Sequence, residues 1–485
     1  MPEETLKEKT AKGLFWGGLS NGVQQLLGLV FGVVLARLLN AEDYGTVGVL
    51  AIFSAIASTI QESGFTAALT NKTVVKHEDY NAVFWFSLLV STTLYVVLFV
   101  LAPLIAWFYH KPELITLSRF LFIGFWFVGL AVAQNAYLFK NLMVKERAKI
   151  DIIALAISGV VGVCAVLLGL GYWGLAIQSV LYSVAGAIMR WYYSGWKPSF
   201  EINFHPLKDM IGFSFKLFLT NIFNQVNNNI FSVVLGRYYG AREVGFYSQG
   251  QKWMVMGHSF IGGMINGVAQ PILVQVVNDK GRQCAIFRKM LRFGAFVSFP
   301  LILGLAFVGE EFVVIMVGEK WLPAVPFLQM FCIWGAVGYI WTLYTNLLMT
   351  HGKSDIYMAG MIGTGLSQLA VIYLMYPWGI YMMVAAYILV YFVMFFIWNL
   401  FAYRLIGIKM SMVFKDVSPF LFVVLFSFSI AWLLTKDVEN VYLLFFFKIL
   451  ISAVIYLLTM RLCGAVVYKE SLSFLKTKVF SSKIM

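Results

Sequence analysis

Six amide side chains occupy the twelve residues from Thr220 to Phe231, TNIFNQVNNNIF. An amide donates and accepts hydrogen bonds at once, so a row of amides can replace water around a ligand rich in hydroxyls. At 100° per residue, Lys216, Thr220, Asn224, Asn227 and Asn228 fall on one helical arc roughly 120° wide, with Asn221 at its edge. Ser248, Lys252 and Ser259 share a face of the following helix, with Gln251 and His258 beside it. Near the N-terminus, Ser20, Asn21, Gln24 and Gln25 form a third polar arc. One or two amides in a membrane helix serve as interhelical hydrogen bonds. Six in one span exceed what neighbouring helices commonly offer, which predicts a water-filled, ligand-facing cavity. The embedded parts of these helices supply amides, hydroxyls and two ammonium groups but no carboxylate, a set that suits hydroxyl-rich ligands and phosphate.

The helices that position these groups must lie in a membrane. Of 485 residues, 60% are hydrophobic and 12% charged, with a mean hydropathy of +0.81. Apolar stretches of about 20 residues, enough to cross about 30 Å of hydrocarbon, recur along the chain. Fourteen are expected, the first near 13–36 and the last near 441–460, with 44–62, 172–192, 210–235 and 244–270 among them. Every connection is short, so no soluble catalytic domain is expected. With Met1 in the cytoplasm, 26 lysines and arginines fall on the inner side and six on the outer: Arg37, Lys111, Arg237, Arg242, Lys320 and Lys436. That alternation predicts cytoplasmic termini. It also assigns the net charge of +13 to topology and anionic lipid rather than nucleic acid. Arg119 and Lys448 are expected to snorkel toward an interface.

Laid over itself at an offset of 200, the chain matches SNGVQQLLGLVFGVVLARLLNAEDYG from Ser20 with TNIFNQVNNNIFSVVLGRYYGAREVG from Thr220. Nine of 26 positions are identical, among them Asn21 with Asn221, Gln25 with Gln225, Ala41 with Ala241 and Gly45 with Gly245. The expected fold is all-α: two pseudo-symmetric six-helix lobes, residues 1–200 and 201–405, related by an axis along the membrane normal. Residues 406–485 add two helices, a wall of a lipid-facing groove or a dimer contact, and a basic cytoplasmic tail. Residues 196–208, WKPSFEINFHPLK, read as an interfacial linker that lets the lobes move independently, and Gly45 and Gly245 as turn positions.

Other chemistries find no support. The histidines His77, His110, His205, His258 and His351 make no metal spacing, and His258, inside a span, reads as a packing residue. Cys164, Cys284, Cys332 and Cys463 suggest neither disulfide nor zinc site. The Gly363–Gly365 GTG lies inside a hydrophobic span without the strand-to-helix context of a nucleotide loop. The first span, with amides at its centre, is not read as a cleavable signal. Glu62, Glu310 and Glu311 are expected at interfaces.

Six segments together resemble a known family: LARLLNAEDYGTVGV, QESGFTAALTNK, GLGYWGLAIQSVLYS, VVLGRYYGAREVGFYSQGQK, GEKWLPAVPFLQM and LLMTHGKSD. The chain resembles the polysaccharide flippases of the Wzx type, within the multidrug, oligosaccharidyl-lipid and polysaccharide exporter superfamily, near its colanic-acid and teichuronic-acid branch. The resemblance implies about fourteen transmembrane helices and no enzyme activity. It further implies movement of a polyprenyl-pyrophosphate-linked oligosaccharide from the inner to the outer leaflet of the bacterial inner membrane by alternating access. Its partners would then be that lipid, the surrounding membrane lipids and the polysaccharide polymerase machinery. Lys216 and Lys252 would neutralise pyrophosphate, while Asn21, Gln24, Gln25, Asn221, Asn224, Gln225 and Asn228 would surround the sugars. No cofactor is expected, and a coupling ion, proton or sodium, stays open. The rival reading is an ion-coupled multidrug exporter of the same superfamily, whose cavity would be expected to hold an acidic residue.

Overall fold

A computed structural model describes residues 6–62, 68–69, 72, 74–465 and 467–470, with side chains at 6–15, 17, 57–58, 60–62 and 209–220 outside the description. The described residues are mostly helical, with no strand among them. The chain begins with α1 (Leu6–Leu38), α2 (Ala41–Gly48), α3 (Ala51–Glu62), α4 (His77–Tyr109), α5 (Leu114–Gly129) and α6 (Val132–Lys140). It continues through α7 (Val144–Leu167), α8 (Trp173–Ser194), α9 (Lys208–Tyr238), α10 (Ala241–Asn266), α11 (Ala269–Gln275) and α12 (Lys280–Ser298). The remaining helices are α13 (Gly304–Phe307), α14 (Gly309–Val317), α15 (Val325–Thr350), α16 (Ser354–Met375), α17 (Ile380–Ile406), α18 (Met410–Thr435) and α19 (Val441–Leu462).

Among the described residues, nine helices are long and apolar enough to cross a membrane, or ten with the bent α5–α6 pair counted as one span. Each of the fourteen expected spans overlaps a helix. Outside that count fall 44–62, divided between the short helices α2 and α3, together with 172–192, 210–235 and 244–270. The last two carry the amides and hydroxyls singled out above, so the shortfall marks the polar helices themselves. The protein is an all-α, multi-pass membrane protein, and the large apolar residues it exposes on α4, α17, α18 and α19 meet lipid rather than water.

Breaks in the helices have local causes. The α5–α6 pair bends by 43°, and the Leu130 carbonyl at the break accepts a hydrogen bond from Trp191 Nε1 at 2.7 Å. Pro300 interrupts the ladder after α12, and residues Phe299–Leu303 form a π turn. At the start of α2, Asn40 Oδ1 accepts from the Asp43 amide at 2.9 Å and Asp43 Oδ2 from the Asn40 amide at 3.1 Å, a reciprocal cap.

The chain divides into two compact units, Met1–Ser248 and Gln249–Met485, with α10 running across the division. In the first, Tyr80, Phe84, Ala133, Ala136, Trp196 and Leu207 share one buried cluster. Trp196 and Leu207 belong to the segment expected to act as a loose linker, and the structure corrects that expectation. Buried Asn81 donates to the Glu201 carbonyl at 2.6 Å and accepts from the Ser199 amide at 3.0 Å. Trp85 Nε1 donates to the Ser199 carbonyl at 2.8 Å, so residues 199–201 are strapped onto α4. In the second unit, α15 is the central helix. Tyr339 Oη donates to the Leu291 carbonyl at 3.1 Å, and Ser298 Oγ to the Ala336 carbonyl at 2.7 Å.

Candidate functional site

The polar row of α9 is a face of mixed depth. Asn221 and Asn228 are exposed, Asn224, Gln225 and Asn229 half-buried, and Asn227 is buried with 4% of its surface exposed. Asn227 therefore turns into protein although the helical arc groups it with Asn224 and Asn228. Lys216 lies on α9, but its side chain is outside the described residues. On α1, Asn21 and Gln25 are exposed, Gln24 is half-buried, and Ser20 is buried beneath it, accepting from Gln24 Nε2 at 2.8 Å. Asn229 Nδ2 donates to the Gln225 carbonyl at 2.9 Å. These bonds lie within single helices, which leaves the exposed amides turned outward from their own backbones.

Lys252, on α10 within the second unit, is half-buried, its ammonium 5.3 Å from the ring centre of Trp253. His258 lies about one and a half turns on, packed against Gly338 of α15. It is placed as a packing residue.

The duplicated segments meet each other. A methyl group built on Gly45 would overlap the Ala241 carbonyl and lie 2.9 Å from Ala241 Cα. A methyl on Gly245 would overlap the Ala41 carbonyl and lie 3.0 Å from Ala41 Cα. Residues 41 and 45 thus contact 245 and 241, the reciprocal pattern of a two-fold contact between copies of one surface. Both glycines are helical, so they are close-approach positions rather than the turn positions expected. Around them, Gly236 abuts Val49 and Tyr109, and the Tyr109 hydroxyl donates to the Val49 carbonyl at 3.3 Å. Arg237 donates to the Phe108 carbonyl and contacts His110 Nε2. Lys111 pairs with Glu42 at 2.8 Å and Glu113 at 3.5 Å. The Lys111 hydrogen bond and charge hold the Glu42 carboxyl below its ordinary range. This junction lies at the end of the helices that carries Arg37, Arg237 and Lys111.

Three ion pairs inside the helical body escape a reading of the sequence. Arg190 on α8 pairs with Asp151 on α7 at 3.1 Å. It also borders a small cavity of about 130 Å³ with Asn135, Tyr182 and Ser183. Arg288 grips buried Asp416 with two bonds of 2.6 and 3.0 Å, and Arg292 adds a third at 3.1 Å. Lys448 pairs with Glu311 at 2.5 Å, with side chains 12% and 7% exposed. This corrects the expectation that Lys448 snorkels and Glu311 sits at an interface: each answers the other's charge. The one available signal was an ionisable residue in each of two spans.

In the second unit, α12–α13, α18 and α19 enclose an apolar groove of about 360 Å³, lined by Leu301, Phe307, Phe428, Phe445, Ile449 and Tyr456. Its walls suit hydrocarbon.

Residues 34–326 match the family model described as polysaccharide biosynthesis protein. The teichuronic acid biosynthesis protein TuaB of Bacillus subtilis (strain 168) is 25% identical over 354 residues, 73% of each chain. The lipopolysaccharide biosynthesis protein WzxC of Escherichia coli (strain K12) is 26% identical over 359 residues, 73% of this chain and 72% of the relative. Among solved structures, the lipid II flippase MurJ in an inward closed conformation superposes with a TM-score of 0.75 at 14% identity, covering 94% of this chain and 99% of MurJ. At that identity the likeness is one of fold.

Proposed function

The chain belongs to the polysaccharide biosynthesis protein family, and from that premise we propose that it is a flippase for a polyprenyl-pyrophosphate-linked oligosaccharide. It carries its substrate from the cytoplasmic to the outer leaflet of the bacterial inner membrane, with both termini in the cytoplasm. Family and fold are those of a membrane transporter rather than an enzyme. The observation that carries the reading is the outward-turned amide set, Asn21, Gln25, Asn221 and Asn228, on spans without an embedded carboxylate. In hydrocarbon these groups would lose their hydrogen bonds at several kcal/mol each, so they require water or a polar ligand. Gln24, Asn224 and Gln225 complete the sugar-facing set, and Lys216 and Lys252 neutralise the pyrophosphate. The groove beside α18 and α19 offers the polyprenyl tail an apolar wall.

Transport needs no covalent step. The head group enters from the cytoplasm while the junction of Gly45 and Gly245 is closed, and the junction opens to release it outside. A proton or sodium gradient, or consumption of the product by the polymerase machinery, supplies the direction.

The test is made in the native cell. The gene is deleted, wild type or the Lys216→Ala, Lys252→Ala double variant is restored, and lipid-linked oligosaccharide is assayed by leaflet beside surface polysaccharide and drug susceptibility. Accumulation in the inner leaflet, relieved by wild type alone at equal protein level, is the expected result. Unchanged polymer with increased sensitivity to cationic drugs makes the protein a multidrug exporter instead.

A further inference from the structure

The α15 and α17 helices place aromatic rings in an unusual position. Trp334 stacks on Tyr391 with ring centres 4.3 Å apart and planes 18° from parallel. Trp341 meets the same tyrosine edge-on at 5.8 Å. The Tyr387 and Tyr391 hydroxyls lie 3.3 Å apart. Trp334, Trp341 and Tyr391 are each partly exposed, as is Thr345 on the same arc of α15.

Their depth decides what faces them. Trp334 lies nine residues from the start of α15 and Trp341 nine from its end, about 14 Å along the axis in each case. Tyr391 lies near the middle of α17. Tryptophans and tyrosines that anchor a protein in its membrane sit in belts at the two interfaces, not at the centre. Among the described residues, the indole N–H groups of Trp334 and Trp341 make no hydrogen bond. Turned to lipid, each would forfeit the bond it makes in water, at roughly 2–7 kcal/mol. This face is therefore wet or occupied by something polar.

An aromatic ring flanked by N–H and O–H groups is complementary to a pyranose. The sugar's C–H face packs on the ring while its equatorial hydroxyls reach the polar edge. An acyl chain would leave the polar edge unanswered, and an anion finds no positive charge in this cluster. We propose that Trp334, Trp341 and Tyr391 form a stacking platform for a sugar ring of the transported head group, with Tyr387 and Thr345 as hydroxyl partners. The platform deepens the flippase reading and rests on it. It assigns the second unit a role in sugar selection that the amides of α1 and α9 do not fill: amides recognise hydroxyls, whereas rings recognise the apolar face of the sugar.

The test separates the platform from the reading beneath it. Full-length protein in lipid nanodiscs is titrated with farnesyl pyrophosphate and with farnesyl-pyrophosphoryl-glucose, and binding is read by native mass spectrometry. Wild type binds the glucosylated probe more tightly. Trp334→Leu with Trp341→Leu loses about tenfold of that preference while binding farnesyl pyrophosphate as before, and Trp341→Phe, which keeps a ring, retains most of it. Unchanged binding of the sugar-free probe shows that the variant is folded. An unchanged preference in the leucine variant overturns the platform and leaves the flippase reading standing. No preference in wild type overturns both.

Discussion

A single methyl group tests the reciprocal contact of the duplicated segments. Gly45→Ala places a carbon within the Ala241 carbonyl and 2.9 Å from its Cα, where ordinary contact begins near 3.4 Å. The obstacle is backbone, which cannot rotate away as a side chain can. The helices must part, or the junction must open. Overpacking a close contact costs about 1–3 kcal/mol, and a backbone obstacle belongs at the upper end. At about 3 kcal/mol the closed junction loses a factor of roughly 150 against the open one. Gly245→Ala meets the same obstacle from the other copy, and the two changes combine less than additively because they strain one contact. The assay uses Asn21→Cys in a chain freed of Cys164, Cys284, Cys332 and Cys463, labelled in intact cells by a membrane-impermeant thiol reagent. Gly45→Ala is expected to raise the labelling rate at least tenfold and to impair transport. Labelling and thermal stability both equal to those of the parent would refute the idea that this contact closes the outer end.

The remaining predictions concern charges and the strap. Lys448→Ala leaves Glu311 buried without a partner and is expected to cost about 3–5 kcal/mol, read as a lower melting temperature in detergent. Adding Glu311→Ala should recover most of that loss, and a double variant as unstable as the single would contradict the pairing. The Glu42 carboxyl, held below its ordinary value of 4.5 by Lys111, contributes stability above that value and loses it as pH falls through the lower, folded one. Labelling of the Asn21→Cys reporter should therefore rise modestly in acid. The pair is largely exposed, so the effect stays below about 1 kcal/mol, and Glu42→Gln should abolish its pH dependence. Asn81→Ala removes both bonds to residues 199–201 and should expose that segment to protease at a cost of about 1–3 kcal/mol, whereas equal cleavage of variant and parent would show that the strap is held by other contacts.

Much of the architecture is legible because a membrane imposes strong rules on sequence: apolar spans and polar stripes follow from the cost of burying backbone or charge, and the offset repeat shows as identity between two segments of the chain. The amide row of α9 was visible as an arc, but its depth was not. A helical wheel fixes angles between side chains and says nothing of which neighbour covers them, so Asn227 grouped with Asn228 although only Asn228 is exposed. Gly45 and Gly245 were found as a repeat and misread as turns, since close approach of two helices leaves no local mark beyond the missing side chain. The ion pairs were hidden by distance along the chain. Arg190 and Asp151 are 39 residues apart, Arg288 and Asp416 128, and Lys448 and Glu311 137. Each member alone reads as an interfacial charge. The segment 196–208 reads as mobile from its prolines and polar residues, and only the three-dimensional structure shows Asn81 and Trp85 holding residues 199–201.

The central claim is that the polar faces of α1 and α9 carry a sugar-pyrophosphate lipid across the membrane. Purified protein in liposomes containing farnesyl-pyrophosphoryl-glucose tests this most directly, with inner-leaflet sugar made measurable as it becomes accessible to external periodate. Wild type should expose the inner-leaflet pool many times faster than protein-free liposomes, and Asn221→Leu with Asn228→Leu should fall to near the protein-free rate. Inner-leaflet sugar that stays protected with wild type, in liposomes where the same protein moves a cationic dye, would contradict the account.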